Sequence, residues 1–419
     1  MLLEKDALML WHPYSPLVTD QAPLEVLEAR GAYLHLADGR RLLDGISSWW
    51  VNLHGHAHPY LIEALHKQAT QLDHTLFAGF THAPAVRLAE RLLSFWNGNM
   101  RRVFYSDNGS TSVEAAIKLA MQYFLLSGKK NIQLIAIDGA FHGDTFGAMA
   151  VSGKSIFNEA FEGHLLPVKH IPFPIDERCL ASLQTILEAH EACIFIYEPL
   201  LQGAAGMRAY EASLLNKMLK AVHAYQGICI ADEVLTGFGR TGTMFASQQV
   251  HEQPDLVCLS KGITGGLMPF AATLVNARME EPFLSNEFGR IFYHGHSYTA
   301  NPLACALGIA SLELFEKENT LNHIQLLNSC QKKGKEHLKS CNSISRIDVM
   351  GTMLSVEFQS EEEKGYLNSI RQRSYAYFLS RGFLLRPLGN VSYVLPPYCV
   401  STEELNRVHE ALYEFAHTL

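Results

Sequence analysis

Five short and almost uninterrupted apolar runs, "IQLIAID", "ACIFIYE", "GICIAD", "DLVCLS" and "AATLVN", limit the architecture of this chain more than anything else in it. A strand with one face in water alternates apolar and polar residues, whereas a run without alternation belongs to a strand buried on both faces, as in a parallel sheet. Between such runs the spacing turns helical. From Val113 onward, Val113, Ile117, Met121 and Phe124 fall on one face, and Glu114 and Lys118 are spaced to pair at i, i+4 on another. Helix and strand alternate in this way from about residue 60 to 275, which predicts an α/β core: a mostly parallel central sheet covered by helices.

The flanking segments read differently. Residues 25 to 45 form short strands turned at Arg30-Gly31 and at Asp38-Gly39, where glycine supplies the positive φ of a tight hairpin. After about residue 310 the order is helix, strand "GTMLSVEF", helix, hairpin "GFLLRPLGNVSYVLPPY" and a last helix from Thr402. This is a smaller α+β unit, joined by the N-terminal strands. With no repeats and no low-complexity linker, the units must pack together. The expected division is an N-terminal segment over 1–50 contributing to the small domain, a large domain over 51–310 and a C-terminal small domain over 311–419.

Composition narrows the partners. A chain of 419 residues that is 48% hydrophobic can bury large cores, yet its longest apolar stretches stop at Glu198 or Asp232, too short to cross a hydrocarbon layer. The first residues mix acids with apolar side chains and lack a basic region and a cleavage site, so secretion is not expected. Eight cysteines without a C-x-x-C pair read as reduced thiols of a cytoplasmic protein. A net charge of -8 with both signs interspersed argues against nucleic acid and against an anionic membrane. Small molecules or a second copy of the chain remain as partners.

"DEVLTGFGRTG" carries Gly237, Gly239 and Gly242 in the G-x-G-x-x-G spacing of a dinucleotide loop. The context opposes that reading. Two acids, Asp232 and Glu233, precede the glycines, Pro254 interrupts the segment that should be a helix, and Asp255 begins a strand instead of ending one. The acid is more informative than the glycines, because a carboxylate at the C-terminal end of a buried strand sits where α/β sheets bind ligands. One strand later comes Lys261 in "SKGITGG". An anion and an amine at consecutive strand ends can face one crevice, or form a plain salt bridge. A third element is "FYSDNGSTSVEAAIKLA", where a strand passes through Asp107-Asn108-Gly109-Ser110 into the amphipathic helix. Such a helix start, with amides and hydroxyls expected to be free at Gly109, Ser110 and Thr111, binds one phosphate, although it is equally an ordinary N-cap. Phosphate cradle, carboxylate and lysine together match the needs of pyridoxal phosphate.

With these motifs the chain resembles the class III, fold-type I aminotransferases from end to end, most specifically in "DEVLTGFGRTG" followed by "SKGITGG". The segments "WHPYSP", "DGISSWW", "FHGDTFGAM", "HGHSYTANPLAC" and "RPLGN" place the resemblance in the branch that serves biotin biosynthesis. The resemblance implies that Lys261 holds pyridoxal 5'-phosphate covalently and then carries the proton between substrate Cα and cofactor C4′. It implies that Asp232 pairs with the pyridinium nitrogen and that Gly109 and Ser110 hold the phosphate. It implies a homodimer with shared active sites, in which His296 and Ser297 of a second copy reach the phosphate and Gly295 reaches substrate. Phe141 aligns with an aromatic lying over the cofactor ring, where many relatives have tyrosine. Tyr14, Trp49, Asp144 and Arg386 match substrate-binding positions. The implied reaction is ping-pong transamination from S-adenosylmethionine to 8-amino-7-oxononanoate, with lysine as an alternative donor. Other ω-amino acid aminotransferases of the class are alternatives, but several carry an acid where Ala204 and Ala205 stand here and lack the paired tryptophans.

"NLHGHAHP" sets His54, His56 and His58 at alternate positions. No acid or cysteine cluster completes a metal coordination set, so the expectation is a surface loop rich in histidine and no metal site.

Overall fold

All five apolar runs become strands of one sheet. The computed structural model describes residues 2–19, 22–96, 98–362 and 366–419. Among them the central sheet has seven strands: β1 (Met100–Ser106), β2 (Ile132–Ile137), β3 (Val168–Ile171), β4 (Ala192–Tyr197), β5 (Ile228–Asp232), β6 (Leu256–Leu259) and β7 (Ala271–Asn276), in the order β1-β7-β6-β5-β4-β2-β3. Every residue of β4, β5, β6 and β7 is buried, which is why their sequences do not alternate. β3, β2, β4, β5 and β6 run parallel, whereas β7 is antiparallel to both β6 and β1. Burial on both faces gives the same apolar run in either direction. The deciding feature is the connection: the stretch between Leu259 and Ala271 holds only a short 3-10 turn, Lys261–Thr264, and is too short for the helical crossover that a parallel return needs.

The helix Gly109–Leu126 packs on this sheet through buried Val113, Ile117 and Phe124, with Met121 half-buried. Its expected Glu114–Lys118 pair does not form. Glu114 accepts hydrogen bonds from Thr145 Oγ1 (2.6 Å) and from the amides of Gly147 (2.7 Å) and Ala148 (3.1 Å), and Lys118 Nζ turns to His294 Nδ1 at 2.9 Å. Three amide and hydroxyl donors satisfy a part-buried carboxylate better than one flexible ammonium in water.

The N-terminal strands Val26–Arg30, Tyr33–Leu36 and Arg41–Asp44 form an antiparallel meander, and Phe383–Leu384 joins it parallel to the last of them. A second sheet pairs Ile344–Met350, Met353–Phe358 and Val391–Val394. The expected hairpin "GFLLRPLGNVSYVLPPY" is therefore not one. Its two arms enter different sheets, with a single bridge between Leu388 and Val391, and the residues between them cross from one sheet to the other. That crossing carries Arg386 toward the ligand site. The helix expected from Thr402 spans Thr402–Ala416. Seven cysteines are buried, Cys399 is at the surface, and all eight are free thiols. Among the described residues no helix is long and apolar enough to cross a membrane.

Candidate active site

β5 and β6 lie side by side with Asp232 opposite Cys258, so Lys261 follows the neighbouring strand end almost at once. Both line a cavity of about 380 Å³. Asp232 is fixed from two sides: His142 Nδ1 donates to its Oδ2 at 2.7 Å, and the Val234 amide donates to its Oδ1 at 3.0 Å. The other nitrogen of His142, Nε2, is buried without a protein partner among the described residues. Lys261 adopts φ 43° and places Nζ 4.9 Å from the centre of the Trp50 ring. Burial lowers its pKa, Arg240 adds to that, and Asp232 and Glu198 oppose it. The neutral amine, which is the nucleophilic and proton-accepting form, is thus favoured relative to a lysine in water.

Glu198 directly follows β4, as Asp232 closes β5. Burial pushes its carboxyl up to about 7, opposed by His142 and by the amides of Gly203 (2.9 Å) and Phe141 (3.1 Å). The rule that singled out Asp232, an acid closing a buried strand, would have found it in "IFIYE".

The helix Gly109–Leu126 begins at the same cavity, with Gly109 against Val234. Asn108 caps it by accepting from the Thr111 amide at 3.0 Å, so Thr111 is engaged in the cap. The amides of Gly109 and Ser110 stand in the first turn, where no intrahelical acceptor exists, at the cavity that both residues line. Gly143, at φ 132°, lets the next loop close on this helix start, since a Cβ there would lie 2.2 Å from Ser110 Oγ. Phe141 lines the same cavity.

A second space of about 610 Å³ adjoins the first and shares Lys261, Phe141, Trp50 and Ser110 with it. Tyr14, Trp49, Asp144 and Arg386 all line this channel, although they come from four distant parts of the chain. The Tyr14 hydroxyl donates to Asp144, and burial together with that carboxylate holds its proton on. The ring of Tyr14 meets Trp49 and Phe157 edge to face at 5.5 and 5.4 Å, and the Arg386 guanidinium lies 4.6 Å from the Trp49 ring centre. Tyr14 and Trp49 are 39% and 37% exposed, so neither is a core aromatic. Phe157, Tyr366 and Tyr393 complete the walls and had no distinguishing signal in the sequence.

Trp49 and Trp50 project from an unusual backbone. Ser47, Ser48, Trp49 and Trp50 have φ of 51°, 44°, 70° and 77°, one turn of left-handed helix closed by Trp50 N to Ile46 O (2.8 Å) and Val51 N to Ser47 O (3.0 Å). Each such non-glycine residue costs about 1–2 kcal/mol, so the surroundings must hold the turn. One holder is Arg240, whose fully buried guanidinium donates to the carbonyls of Trp50, Asn52 and Pro396. Arg240 lies within the glycine triplet. The loop that carries it turns away from the cavity, and Gly239, at φ 95°, packs against Ile324 and Tyr398. None of Gly237, Gly239 and Gly242 lines the cavity, so the triplet is no phosphate loop.

Two expectations need correction or relocation. The histidines of "NLHGHAHP" are not a surface loop: His54 is buried on Ser311, His56 bonds Asp44, and His58 caps the next helix and pairs with Glu318. Their three rings serve three separate contacts. Gly295, His296 and Ser297 line neither cavity of their own chain, and Gly295 and Ser297 are exposed.

The signature of the family described as aminotransferase class-III matches residues 14–416, nearly the whole chain. This chain belongs to that family. The aminotransferase is 44% identical over 414 residues to the adenosylmethionine-8-amino-7-oxononanoate aminotransferase of Synechococcus elongatus, covering 96% of this chain and 97% of the relative. The crystal structure of the enzyme of the same name from Methanocaldococcus jannaschii superposes on the aminotransferase with a TM-score of 0.94 at 34% identity, covering 100% of this chain and 98% of that one. An amine transaminase from an uncultivated Pseudomonas species, solved in its PLP-bound form, superposes with a TM-score of 0.89 at 27% identity, covering 97% and 98%. The aminotransferase thus has the fold-type I architecture expected from its sequence.

Proposed function

We propose that this aminotransferase binds pyridoxal 5'-phosphate in the inner cavity and moves the amino group of S-adenosylmethionine to 8-amino-7-oxononanoate, forming 7,8-diaminononanoate in biotin biosynthesis. The observation that carries the reading is the meeting of the two spaces at Lys261: an inner cavity that joins Asp232 and Glu198, one amine and one helix start, and an outer aromatic channel that includes a guanidinium.

The inner residues fit the cofactor by their chemistry. The Gly109 and Ser110 amides suit a single phosphate at a helix N-terminus. A carboxylate held by His142 and the Val234 amide suits a protonated ring nitrogen. The Phe141 ring gives a stacking wall without the hydroxyl of its tyrosine counterparts. When bound, the cofactor supplies an electron sink for the carbanion at substrate Cα. Lys261, its ammonium form disfavoured by burial, accepts the Cα proton and returns it at cofactor C4′. Asp232 would present its carboxylate to the ring nitrogen. In the channel, Trp49 and Tyr14 shield the aliphatic chain of the oxo acid from water, and Arg386 binds its terminal carboxylate as a planar donor fork. Asp144, fixed by Tyr14, places an acceptor where an amino group can be recognised. One site takes both partners in turn, so each residue must tolerate two unlike ligands.

A homodimer belongs to this reading. Gly295, His296 and Ser297 do not line their own cavity, and Phe288, Tyr293 and Tyr298 around them are 80%, 70% and 63% exposed. A second copy covering this surface would bring the three residues to its own cofactor phosphate and substrate. A cytoplasmic location fits eight free thiols. The test incubates purified holoenzyme with 8-amino-7-oxononanoate and either S-adenosylmethionine or lysine, and seeks the diamine by mass spectrometry. Product with S-adenosylmethionine supports the reading, product with lysine alone replaces the donor, and no product with either removes the substrate assignment.

A further inference from the structure

Trp49 reaches the channel only because the turn Ser47–Trp50 is left-handed, and the chain contains a device for keeping it so. Asp44 is fully buried, and its side chain closes the inside of that turn. Its Oδ1 accepts from the Ser48 amide at 2.9 Å and, more weakly, from the Ile46 amide at 3.4 Å. Its Oδ2 accepts from Ser48 Oγ at 2.7 Å and faces His56 Nε2 at 2.8 Å. The other ring nitrogen, His56 Nδ1, lies 3.2 Å from the Asn52 side-chain amide, which has only hydrogens to offer. Nδ1 is therefore the acceptor and Nε2 carries the proton directed at Asp44. Asn52 is itself oriented, since its Oδ1 accepts from the Gly55 amide at 2.8 Å. The far end of the turn is held independently by Arg240 at the Trp50 and Asn52 carbonyls.

We propose that Asp44 and His56 are positioning residues for substrate specificity: together they lock the left-handed Ser47–Trp50 turn and so hold Trp49 as a wall of the channel, without touching ligand themselves. Neither residue lines the cavity or the channel. Asp44 supplies acceptors to the amide and the hydroxyl of Ser48, while the Ser47 hydroxyl donates to the Leu395 carbonyl. His56 fixes the carboxylate so that those acceptors stay aimed. The proposal also gives a role to the middle histidine of "NLHGHAHP". It rests on the substrate reading above, in that Trp49 is taken to contact the aliphatic chain of the oxo acid.

The test uses holoenzyme of the wild type, Asp44→Asn, His56→Ala, His56→Gln and Trp49→Ala, and the double variant of His56→Ala with Trp49→Ala. For Asp44→Asn and His56→Ala we expect the KM for 8-amino-7-oxononanoate to rise on the order of ten- to a hundredfold, as for a misplaced binding group, with a much smaller change in kcat. His56→Gln, which keeps a donor to Asp44, should recover most of the KM. In the Trp49→Ala background His56→Ala should raise KM no further, because its effect runs through that ring. KM effects that multiply in the two backgrounds, or a loss confined to kcat or to melting temperature, would overturn the proposal. If Asp44→Asn does not fold, the His56 variants decide by the same criterion. Near-ultraviolet circular dichroism of the tryptophans, recorded without substrate, separates this inference from the substrate reading. Altered bands in His56→Ala that return in His56→Gln support the lock even if the wild type makes no diamine, and bands identical to wild type sink it.

Discussion

The inner cavity and the outer channel meet at one lysine but are built on opposite principles. Glu198, Asp232 and Lys261 sit at or just beyond the ends of three adjacent parallel strands, β4, β5 and β6, so the sheet ladder fixes their mutual placement. Tyr14, Trp49, Asp144 and Arg386 come from a loop, a left-handed turn, a second loop and a crossing between two small sheets. Their placement depends on how separate segments dock. The two sets are nevertheless tied by one loop, in which the Phe141 amide bonds Glu198, His142 bonds Asp232 and Asp144 bonds Tyr14. On the proposed function, the sheet ends would carry the reaction type and the docked segments the choice of substrate.

The largest effects should come from the sheet ends. Lys261→Ala is expected to cut turnover about 10⁴-fold or more with every amino donor and to remove the visible absorbance of the lysine-bound cofactor. A variant that keeps both would place the reactive amine elsewhere. Asp232→Asn comes next, with kcat lowered about 10²- to 10³-fold, since the amide keeps the shape and loses the charge facing the ring nitrogen. Both half-reactions, followed separately by cofactor absorbance, should slow by similar factors. A loss in only one of them would show that Asp232 acts on a substrate and not on the shared chemistry.

The same contrast decides what could be read from the sequence. The strands, the capped helix start and the acid–lysine pair follow from short-range pattern: burial removes alternation, and a sheet puts consecutive strand ends together. Even there, direction escaped notice for β7, because a doubly buried strand looks alike either way. The channel residues were reached through resemblance, as nothing in the spacing of Tyr14, Trp49 and Arg386 brings them together. Arg386 was placed in a hairpin, and only the docking of Phe383–Leu384 on Arg41–Asp44 reveals the crossing that delivers it. Glu198 was readable by the acid-at-strand-end rule and went unused. Arg240 was hidden in glycines, and its burial against three carbonyls is a tertiary fact with no local signature.

Arg386→Ala should act on the channel alone. Removing a guanidinium that pairs with the far carboxylate is expected to raise the KM for 8-amino-7-oxononanoate roughly ten- to a hundredfold, while the cofactor absorbance and the behaviour of Lys261 stay as in the wild type. An equal loss with an uncharged oxo substrate of the same length would show that Arg386 supports Trp49 by stacking, at 4.6 Å, and does not read charge.

The smallest effect concerns the base shared by both regions. His54 lies in the loop that follows the tryptophan turn, 4% exposed, with Nε2 3.0 Å from Ser311 Oγ on the helix Pro302–Lys317. Burial, helped by His58 and Arg240, pushes its pKa down from 6.5 to about 3. Between those values the unfolded chain holds a proton on this residue that the folded protein does not. Stability from His54 is therefore complete above pH 6.5 and is lost as pH falls toward 3, by about 1 kcal/mol per unit. His54→Gln can still bond Ser311 but cannot titrate, so its urea midpoint should decline less steeply on acidification than that of the wild type. Parallel curves would mean that His54 is already charged in the folded protein.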